Sequence, residues 1–200
     1  MSAKSNLATP NLAAPKSATI KSSFAPVVDQ NTRILILGSL PGDASLAQQQ
    51  YYAHPQNRFW HLLSDVFHID LCNADYPTRL QTLLDHEIGL WDVIAQAHRR
   101  GSLDSQIRDR SDNDLLALLD TLPNLHTIAF NGATAYKLGL KVLGAQGNQY
   151  RVLSLPSSSP AHTMRYALKA AAWLALIDDK SRTPQTTGRR TIIDKQARSG

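Results

Sequence analysis

Short apolar runs alternate along this chain with longer stretches in which apolar residues recur every three or four positions. The short runs are typical of buried strands, and the periodic stretches are typical of amphipathic helices. The pattern predicts strands over residues 33–37, 88–94, 126–130 and 150–155, and helices over 58–69, 78–86, 114–122, 133–143 and 163–178. Because strands alternate with helices, the sequence predicts an α/β fold with a parallel sheet that helices cover on both faces.

The first predicted strand ends in an abrupt break. We call this segment the glycine turn, and it consists of Gly38, Ser39, Leu40, Pro41 and Gly42. Two glycines and a proline permit a tight turn and a close approach of the backbone to a ligand. Aromatic, imidazole and amide side chains follow just before the first helix, at Tyr51, Tyr52, His54, Asn57 and Phe59. Since open α/β sheets bind ligands at the carboxyl ends of their strands, these two clusters predict a binding site.

The later strands also end in polar residues. Asp92 lies near the exit of the second strand, and Asn131 closes the third. The fourth strand runs into a segment that we call the serine loop, residues 157–162, with polar side chains at Ser157, Ser158, Ser159 and His162. Parallel strands place such ends at one edge of the sheet, so we expect these groups to converge on the glycine turn.

Each of these features has a purely structural alternative. The glycine turn is also what a simple connection from a strand to a helix requires. Asp92 and the serines are residue types that cap helices. His54 and Asn57 can hold their loop through hydrogen bonds to the backbone. Phe59 opens a helix whose apolar face equally predicts core packing.

Composition limits the classes of protein to consider. Two hundred residues suffice for one domain with a substantial core. The single cysteine, Cys72, excludes an intramolecular disulfide and a multi-cysteine metal site, which favours a reducing compartment. The seven histidines show no metal-ligand spacing, so we expect neither a metal nor a cofactor. No apolar run approaches the roughly 20 residues that span a bilayer, so no membrane partner is expected.

The net charge of +5 is concentrated at the ends of the chain. Residues 1–30 are rich in Ala, Ser, Pro and Lys and predict a disordered N-terminal tail. Residues 180–200 predict a basic disordered C-terminal tail, with six Lys and Arg against one Asp. The folded domain is expected over residues 31–179. Basic tails raise affinity for a polyanion without reading its sequence, although they serve equally well to keep a protein in solution.

Three segments of the chain, taken in order, resemble the uracil-DNA glycosylase superfamily. They are the glycine turn, the run His54-Pro55-Gln56-Asn57-Arg58-Phe59-Trp60, and the late run Leu155-Pro156-Ser157-Ser158-Ser159-Pro160. The second run is similar to the mismatch-specific branch. Other features look more like the hypoxanthine-DNA (deoxyinosine) glycosylase branch, namely Leu40, Tyr51-Tyr52, Trp91-Asp92-Val93 and Gly101-Ser102-Leu103-Asp104-Ser105. The resemblance covers about residues 31–177.

The resemblance implies a three-layer α/β/α sandwich with a short four-stranded parallel sheet. It also implies a monofunctional DNA glycosylase that needs no metal or cofactor. Such an enzyme flips a deaminated base out of double-stranded or single-stranded DNA and hydrolyses its N-glycosidic bond in base excision repair. It would act as a monomer in the cytoplasm, on the nucleoid in a bacterium.

The resemblance further implies which residues act on the bond. Many members of the superfamily carry an Asp or Asn as the third residue of the glycine turn, where this chain has Leu40, which cannot activate water. In the hypoxanthine branch the catalytic amide matches Asn57, and His54 lies near it in the same run. The backbone of the glycine turn would approach the flipped nucleotide.

Binding roles follow from the same resemblance. Tyr51, Tyr52 or Phe59 would stack on the extruded base. Asp92 or Asn131 would form hydrogen bonds with the base edge. Ser157, Ser158 and Ser159 would contact the phosphates beside the lesion. His162 would fill the gap left in the duplex or touch a phosphate.

Three other functions fit parts of the pattern. The substrate could be uracil or the pyrimidine of a G:U or G:T mismatch, with the same fold. The chain could be a module that binds damaged DNA without catalysis. The serine loop with His162 and an aspartate could also form a serine hydrolase, although the Gly-x-Ser-x-Gly elbow of such enzymes is missing.

Overall fold

The computed structural model describes residues 19–177. Their strands are β1 (Thr19–Ser22), β2 (Ile34–Gly38), β3 (Ile88–Asp92), β4 (Ile94–Arg99), β5 (Ile107–Asp112), β6 (Thr127–Asn131) and β7 (Arg151–Leu155). Their α-helices are α1 (Asp43–Gln48), α2 (Phe59–Phe67), α3 (Tyr76–Asp85), α4 (Leu115–Leu119), α5 (Ala133–Leu143) and α6 (Tyr166–Trp173). Short 3-10 turns lie at Asp104–Gln106, Gly144–Gln149 and Leu174–Leu176.

Four strands form a parallel sheet in the order β3-β2-β6-β7. The inner strand β2 pairs with β3 on one side, so that Gly38 stands beside Asp92, and with β6 on the other. β6 pairs in turn with β7, and Asn131 stands beside Leu155. The predicted short parallel sheet is confirmed, and the ends of its four strands meet at one edge.

Helices cover both faces of this sheet because its strands are apolar on both sides. Ile34 and Ile36 of β2 belong to a core shared with α2, α3 and α6. Leu35 and Leu37 of the same strand belong to a second core shared with α4 and α5. The alternation of side chains along β2 therefore produces the predicted three-layer α/β/α sandwich.

A second sheet, which the apolar pattern does not predict, lies beside the first. It is antiparallel with the strand order β1-β4-β5. β5 has alternating charged residues and is almost entirely exposed, so it lacks the apolar pattern from which strands are predicted. The strand predicted over 88–94 also divides, since β3 ends at Asp92 and β4 begins at Ile94 to join this second sheet.

The prediction of a disordered tail over residues 1–30 is wrong for residues 19–30. Residues 19–22 form β1, and Val27 pairs with Leu90 through two backbone hydrogen bonds of 2.9 Å. Lys21 is buried and bonds the carboxylate of Asp43, while Phe24, Val27 and Val28 pack against the two cores. An ion pair, hydrogen bonds and apolar packing thus order this segment together. Residues 1–18 and the C-terminal tail predicted over 180–200 lie outside the described residues.

Helix boundaries differ from the prediction by a few residues. The predicted helix over 133–143 is observed as α5. α6 begins at Tyr166 instead of residue 163, because the segment after the serine loop continues to Arg165. The short helix α1 follows directly on the glycine turn, so that turn does connect a strand to a helix. No helix within residues 19–177 has the length and apolar character needed to cross a membrane.

Candidate active site

A cavity of about 420 Å³ opens at the carboxyl edge of the parallel sheet. The predicted site residues that line it are Gly38, Ser39, Leu40, Pro41, Gly42, Tyr51, Tyr52, His54, Asn57, Asp92, Asn131, Ser157, Ser158, Ser159 and His162. The structure thus brings together residues from five separate parts of the sequence. Of the predicted set, only Phe59 is absent from the wall.

Close packing fixes the start of the glycine turn. The carbonyl oxygen of Gly38 accepts a hydrogen bond from Val93 at 2.9 Å, and that of Ser39 accepts one from Ile94 at 3.1 Å. A Cβ atom on Gly38 would stand 2.6 Å from Oδ1 of Asp92. Only glycine therefore allows the carboxylate to approach the turn this closely.

The third residue of the turn offers no polar group to the cavity. Leu40 is 6% exposed and packs in a small apolar cluster with Ile94 and Ala97. The cluster lies between the glycine turn and β4, so the leucine side chain ties these two elements together. Any group that activates water must therefore come from another part of the wall.

Asp92 is a buried carboxyl at the cavity. Ser23 donates a hydrogen bond to its Oδ2 at 3.1 Å, and Asn113 donates one to its backbone oxygen at 2.8 Å. Burial raises the pKa of Asp92 to about 7, against the lowering effects of the Ser23 hydroxyl and the Arg99 guanidinium. Near neutral pH both protonation states are populated, so the carboxyl can either donate or accept a hydrogen bond.

The aromatic residues divide between the core and the cavity wall. Phe59 is fully buried and stacks on Tyr52 with ring centroids 3.6 Å apart and planes 13° from parallel. The prediction that Phe59 contacts an extruded base is therefore wrong, and its core alternative is correct. Tyr51 reaches the cavity but is only 3% exposed, and its hydroxyl donates to the carbonyl of Ala25 at 3.4 Å.

Tyr52 presents a hydroxyl without a partner. The oxygen is buried and makes no hydrogen bond within residues 19–177, and Asn131 lies near it. Burial and the nearby Asp92 carboxylate raise the pKa of Tyr52. The hydroxyl therefore stays protonated at neutral pH, in a position that protein atoms cover.

Asn57 and His54 are held by hydrogen bonds within their own loop. Oδ1 of Asn57 accepts from the backbone N–H of Phe59 at 3.0 Å, which leaves the NH2 group and a second oxygen lone pair. Nδ1 of His54 accepts from the backbone N–H of Gln56 at 3.1 Å, so the neutral ring carries its proton on Nε2. Both side chains thus brace the loop, as the structural alternative expects, and both also line the cavity.

Asn131 and Ser158 anchor the serine loop to the sheet. Nδ2 of Asn131 donates to Oγ of Ser158 at 2.9 Å, and the backbone N–H of Ser158 donates to Oδ1 of Asn131 at 2.8 Å. Ser158 is 1% exposed, so the prediction that its side chain contacts phosphate is wrong. With both ends of its amide engaged, Asn131 has an anchoring role, and Asp92 is the better placed of the two to read a ligand.

The remainder of the serine loop becomes progressively exposed. Ser157 and Ser159 accept hydrogen bonds from the backbone N–H groups of Ser159 and Ala161, each at 3.2 Å. These bonds brace the loop, and neither hydroxyl is hydrogen-bonded to a histidine within the described residues, which disfavours the serine hydrolase alternative. Lys169 of α6 donates to the carbonyl of Ser159 at 3.3 Å. From Pro160 to His162 the loop is exposed, so this end of the wall is accessible to a large ligand.

A family model described as the uracil DNA glycosylase superfamily matches residues 25–179. This chain belongs to the uracil DNA glycosylase superfamily. The resemblance inferred from the glycine turn, the run around Asn57 and the serine loop is therefore confirmed.

Similar proteins of the superfamily occur in two species of Methanosarcina. A protein of M. barkeri named hypoxanthine DNA glycosylase is 41% identical over 155 residues, which are 76% of this chain and 95% of the relative. One of M. acetivorans with the same name is 42% identical over 159 residues, 78% of this chain and 98% of the relative. The solution NMR structure of an M. acetivorans protein named as a candidate uracil DNA glycosylase has a TM-score of 0.71 at 41% identity, covering 79% of this chain and 96% of that chain.

Sequence reasoning missed part of the cavity wall of this superfamily member. The additional residues are Ala44, Ser45, Ser102, Leu103, Asp104, Pro160 and Ala161. Asp104 accepts a hydrogen bond from the hydroxyl of Ser39 at 2.7 Å, which ties the segment after β4 to the glycine turn. The block of residues 101–105 was a usable signal, since the resemblance already contained it. Ser23, which bonds Asp92, gave no comparable signal.

Proposed function

We propose that this protein is a deoxyinosine-DNA glycosylase, which flips a hypoxanthine base into the cavity and hydrolyses its N-glycosidic bond. One observation carries the proposal: the cavity joins the glycine turn to Asn57 and Asp92, while Leu40 occupies the usual place of the acid and packs in an apolar cluster. A site built on an amide is what the hypoxanthine branch implies. The names of the two Methanosarcina relatives support the same substrate.

We assign the attacking water to Asn57. With one lone pair engaged by the backbone of Phe59, the amide keeps a donor group and one acceptor site. It can orient a water molecule but is a poor base. The neutral ring of His54 carries its proton on Nε2 and is a second donor toward the cavity. The rate must therefore depend on how well the departing base is stabilised.

The departing base takes up negative charge, and the cavity holds a group suited to it. The Asp92 carboxyl can donate or accept a hydrogen bond near neutral pH. Hypoxanthine presents acceptors at O6 and N7 and a donor at N1, so this carboxyl can meet its edge. A base that stacked on Tyr52 would extend the existing stack of Tyr52 on Phe59.

A base reaches such a cavity only after it leaves the helical stack of DNA. We assign the exposed end of the serine loop, with His162, to the DNA backbone and to the gap that the base leaves. The proposed partner is double-stranded or single-stranded DNA with a deaminated base, and the proposed active form is a monomer. The proposed location is the cytoplasm, on the nucleoid in a bacterium.

Uracil is the second candidate substrate, alone or in a mismatch. The name of the M. acetivorans NMR structure favours it. The glycine turn argues for slow excision of uracil, because Leu40 supplies no carboxylate. Oligonucleotides that carry deoxyinosine, deoxyuridine or a G:T mismatch, cleaved side by side with enzyme in excess, decide between them. We expect the highest rate with deoxyinosine. Tight binding to that strand without an abasic product would instead indicate a non-catalytic module.

Replacement of the catalytic amide tests the mechanism. We expect Asn57→Ala to lower the maximal single-turnover rate on deoxyinosine by about 100-fold or more, the scale that a positioned catalytic group contributes. The control is Asn73→Ala, since Asn73 is exposed and bonds only Asp70 and its own turn. Thermal melting establishes that both variants are folded. An unchanged rate for folded Asn57→Ala would remove Asn57 from the mechanism.

A further inference from the structure

A buried arginine lies against the glycine turn and belongs to none of the roles assigned so far. Arg99 ends β4, the central strand of the antiparallel sheet, and is 1% exposed. Its Nη1 donates to the carbonyl of Leu40 at 3.1 Å, and its Nη2 donates to the carbonyl of Pro41. The planar fork of one guanidinium thus holds two consecutive carbonyls of the turn.

The same guanidinium belongs to a network that returns to the cavity wall. Nη1 of Arg99 lies 3.9 Å from Oδ1 of Asp104, and that oxygen accepts a hydrogen bond from the hydroxyl of Ser39 at 2.7 Å. Ser39 and Asp104 line the cavity, whereas Arg99 does not. The arginine therefore holds residues 39–41 of the turn without lining the cavity itself.

Because of peptide geometry, holding the carbonyl of Pro41 also fixes the orientation of the next N–H group. A trans peptide is planar, and its C=O and N–H groups point in opposite directions. Fixing the carbonyl of Pro41 toward Arg99 therefore directs the N–H of Gly42, in the same peptide, away from it. Gly42 lines the cavity, and its N–H makes no hydrogen bond within the described residues. That N–H is a preorganised donor for a group that enters the cavity.

The burial of Arg99 is incompletely compensated, which is unusual for a residue with a purely structural role. Its Nε has no hydrogen-bond partner among residues 19–177. Burial lowers the pKa of its guanidinium, while the carboxylates of Asp104, Asp43 and Asp92 oppose this shift. An apolar side chain of similar size would avoid the desolvation cost of a buried charge. The retained charge faces the negative ends of the turn's peptides and so favours their present orientation.

We propose that Arg99 is a positioning residue of the glycosidic cleavage: it holds the carbonyls of Leu40 and Pro41 so that the N–H of Gly42 faces the departing base and stabilises its developing negative charge. The inference rests on the proposed glycosylase function. Arg99 touches neither the base nor the water, and it acts through the peptide between Pro41 and Gly42. An oriented backbone donor of this kind contributes about 100- to 1000-fold to rate in other enzymes.

The matched pair Arg99→Lys and Arg100→Lys tests the proposal. Arg100 is the next residue and is exposed, so the same substitution there controls for the change of side chain. Lysine keeps the charge at position 99 but cannot hold two carbonyls with a planar fork. We expect Arg99→Lys to lower the maximal single-turnover rate on deoxyinosine DNA by about 10-fold or more. The enzyme concentration that gives half the maximal rate should change by less than about 3-fold, and Arg100→Lys should leave both values at the native level.

Backbone ¹⁵N relaxation of Gly42, measured by NMR, separates positioning from general destabilisation. The order parameter of the Gly42 N–H should fall in Arg99→Lys, while the amides of α5 keep their native values. A maximal rate within about 3-fold of native in the folded variant would overturn the proposal, as would lower order parameters throughout the domain. If Arg99→Lys does not fold, Arg99→Met replaces it, since an unbranched apolar side chain fills the buried site and removes both donors. The same two measurements and the same outcomes then apply.

Failure of the proposed glycosylase function can be distinguished from failure of the proposed positioning role of Arg99. If the native protein releases no hypoxanthine from deoxyinosine DNA, the proposed function fails whatever the variants do. The relaxation measurement then decides the positioning claim by itself. A native order parameter for Gly42 in Arg99→Lys would overturn that claim, and a selective decrease would support it.

Discussion

The two walls of the cavity are built in different ways. The glycine turn is held by Arg99 on one side and by backbone bonds to Val93 and Ile94 on the other, and Leu40 and Pro41 are buried. The serine loop is anchored mainly at Ser158 and is exposed from Pro160 to His162. One wall is thus fixed along its length, and the other is fixed at its base and open at its end.

This difference matches two different physical tasks. Stabilising charge on a departing base requires donors held within a fraction of an ångström, because a displacement of about 1 Å can cost 100-fold in rate. Binding a polymer requires an accessible surface, and contacts to its backbone tolerate small displacements. We therefore expect substitutions in the glycine turn to change the chemical step and those at the end of the serine loop to change affinity.

The largest expected effect is on the free energy of unfolding, and it comes from the buried Asp92 carboxyl beside the glycine turn. The folded pKa of Asp92 is about 7, well above its ordinary value of 3.8. Between pH 3.8 and about pH 7, the Asp92 carboxyl is ionised in the unfolded chain and protonated in the folded protein. The free energy of unfolding therefore falls as pH rises through this range. A three-unit difference corresponds to about 4 kcal/mol lost by pH 8. Asp92→Asn should remove this loss, which urea denaturation at pH 4 and pH 8 would measure.

Asp70 provides the control for that measurement. Its side chain is exposed, and hydrogen bonds from Asn73 lower its pKa, which is the opposite direction to Asp92. Asp70→Asn should therefore shift the pH dependence weakly and with the opposite sign. A native pH dependence in Asp92→Asn would mean that the glycine turn is not built around a costly buried carboxyl.

Gly38→Ala tests the close packing of the turn directly. The new Cβ would stand 2.6 Å from Oδ1 of Asp92, so either the carboxyl or the turn must move. We expect the maximal single-turnover rate to fall by about 100-fold, with a smaller change in the half-saturating enzyme concentration. Gly147→Ala is the control, because its Cβ would meet Leu143 at an ordinary 3.5 Å. A native rate for Gly38→Ala would mean that the chemical step does not depend on the close packing of the glycine turn.

His162→Ala should produce the smallest effect and the opposite pattern. We expect the half-saturating enzyme concentration to rise about 10-fold, which corresponds to about 1.4 kcal/mol of binding, while the maximal rate stays within about 3-fold. His86→Ala is the matched control, since His86 is exposed near the start of β2, away from the cavity edge. A fall in the maximal rate with unchanged affinity would mean that His162 acts in the chemical step and not in DNA binding.

The apolar periodicity predicted those elements whose side chains meet in the core. β2 and β7 are rich in Ile, Val and Leu, and β6 has a short apolar run, Ile128-Ala129-Phe130. α5 buries Ala135, Gly139 and Leu143 at intervals of four residues, so the existence and approximate bounds of these elements follow from burial alone. The cavity followed from a topological rule, because parallel strands place Gly38, Asp92 and Asn131 at one edge.

The remaining features depend on contacts between distant parts of the chain. Ser23 reaches Asp92 because β1 pairs with β4, and Arg99 reaches the glycine turn because β4 runs beside that turn. Neither strand is marked by a continuous apolar run. Phe59 belongs to the core because its helix presents that face inward, and the apolar pattern of the helix allowed this outcome without deciding it against a place in the cavity wall. The engagement of Asn131 with Ser158 likewise depends on the pairing of β6 with β7.

The position of β1 has a practical consequence for anyone who shortens this protein. The family match begins at residue 25, which invites a truncation there. Such a cut would discard Lys21, which fastens the first turn of α1, and Ser23, the hydroxyl that steadies the Asp92 carboxyl. The family match thus begins several residues after the ordered fold does, and among the omitted residues is the partner of Asp92, which lines the cavity.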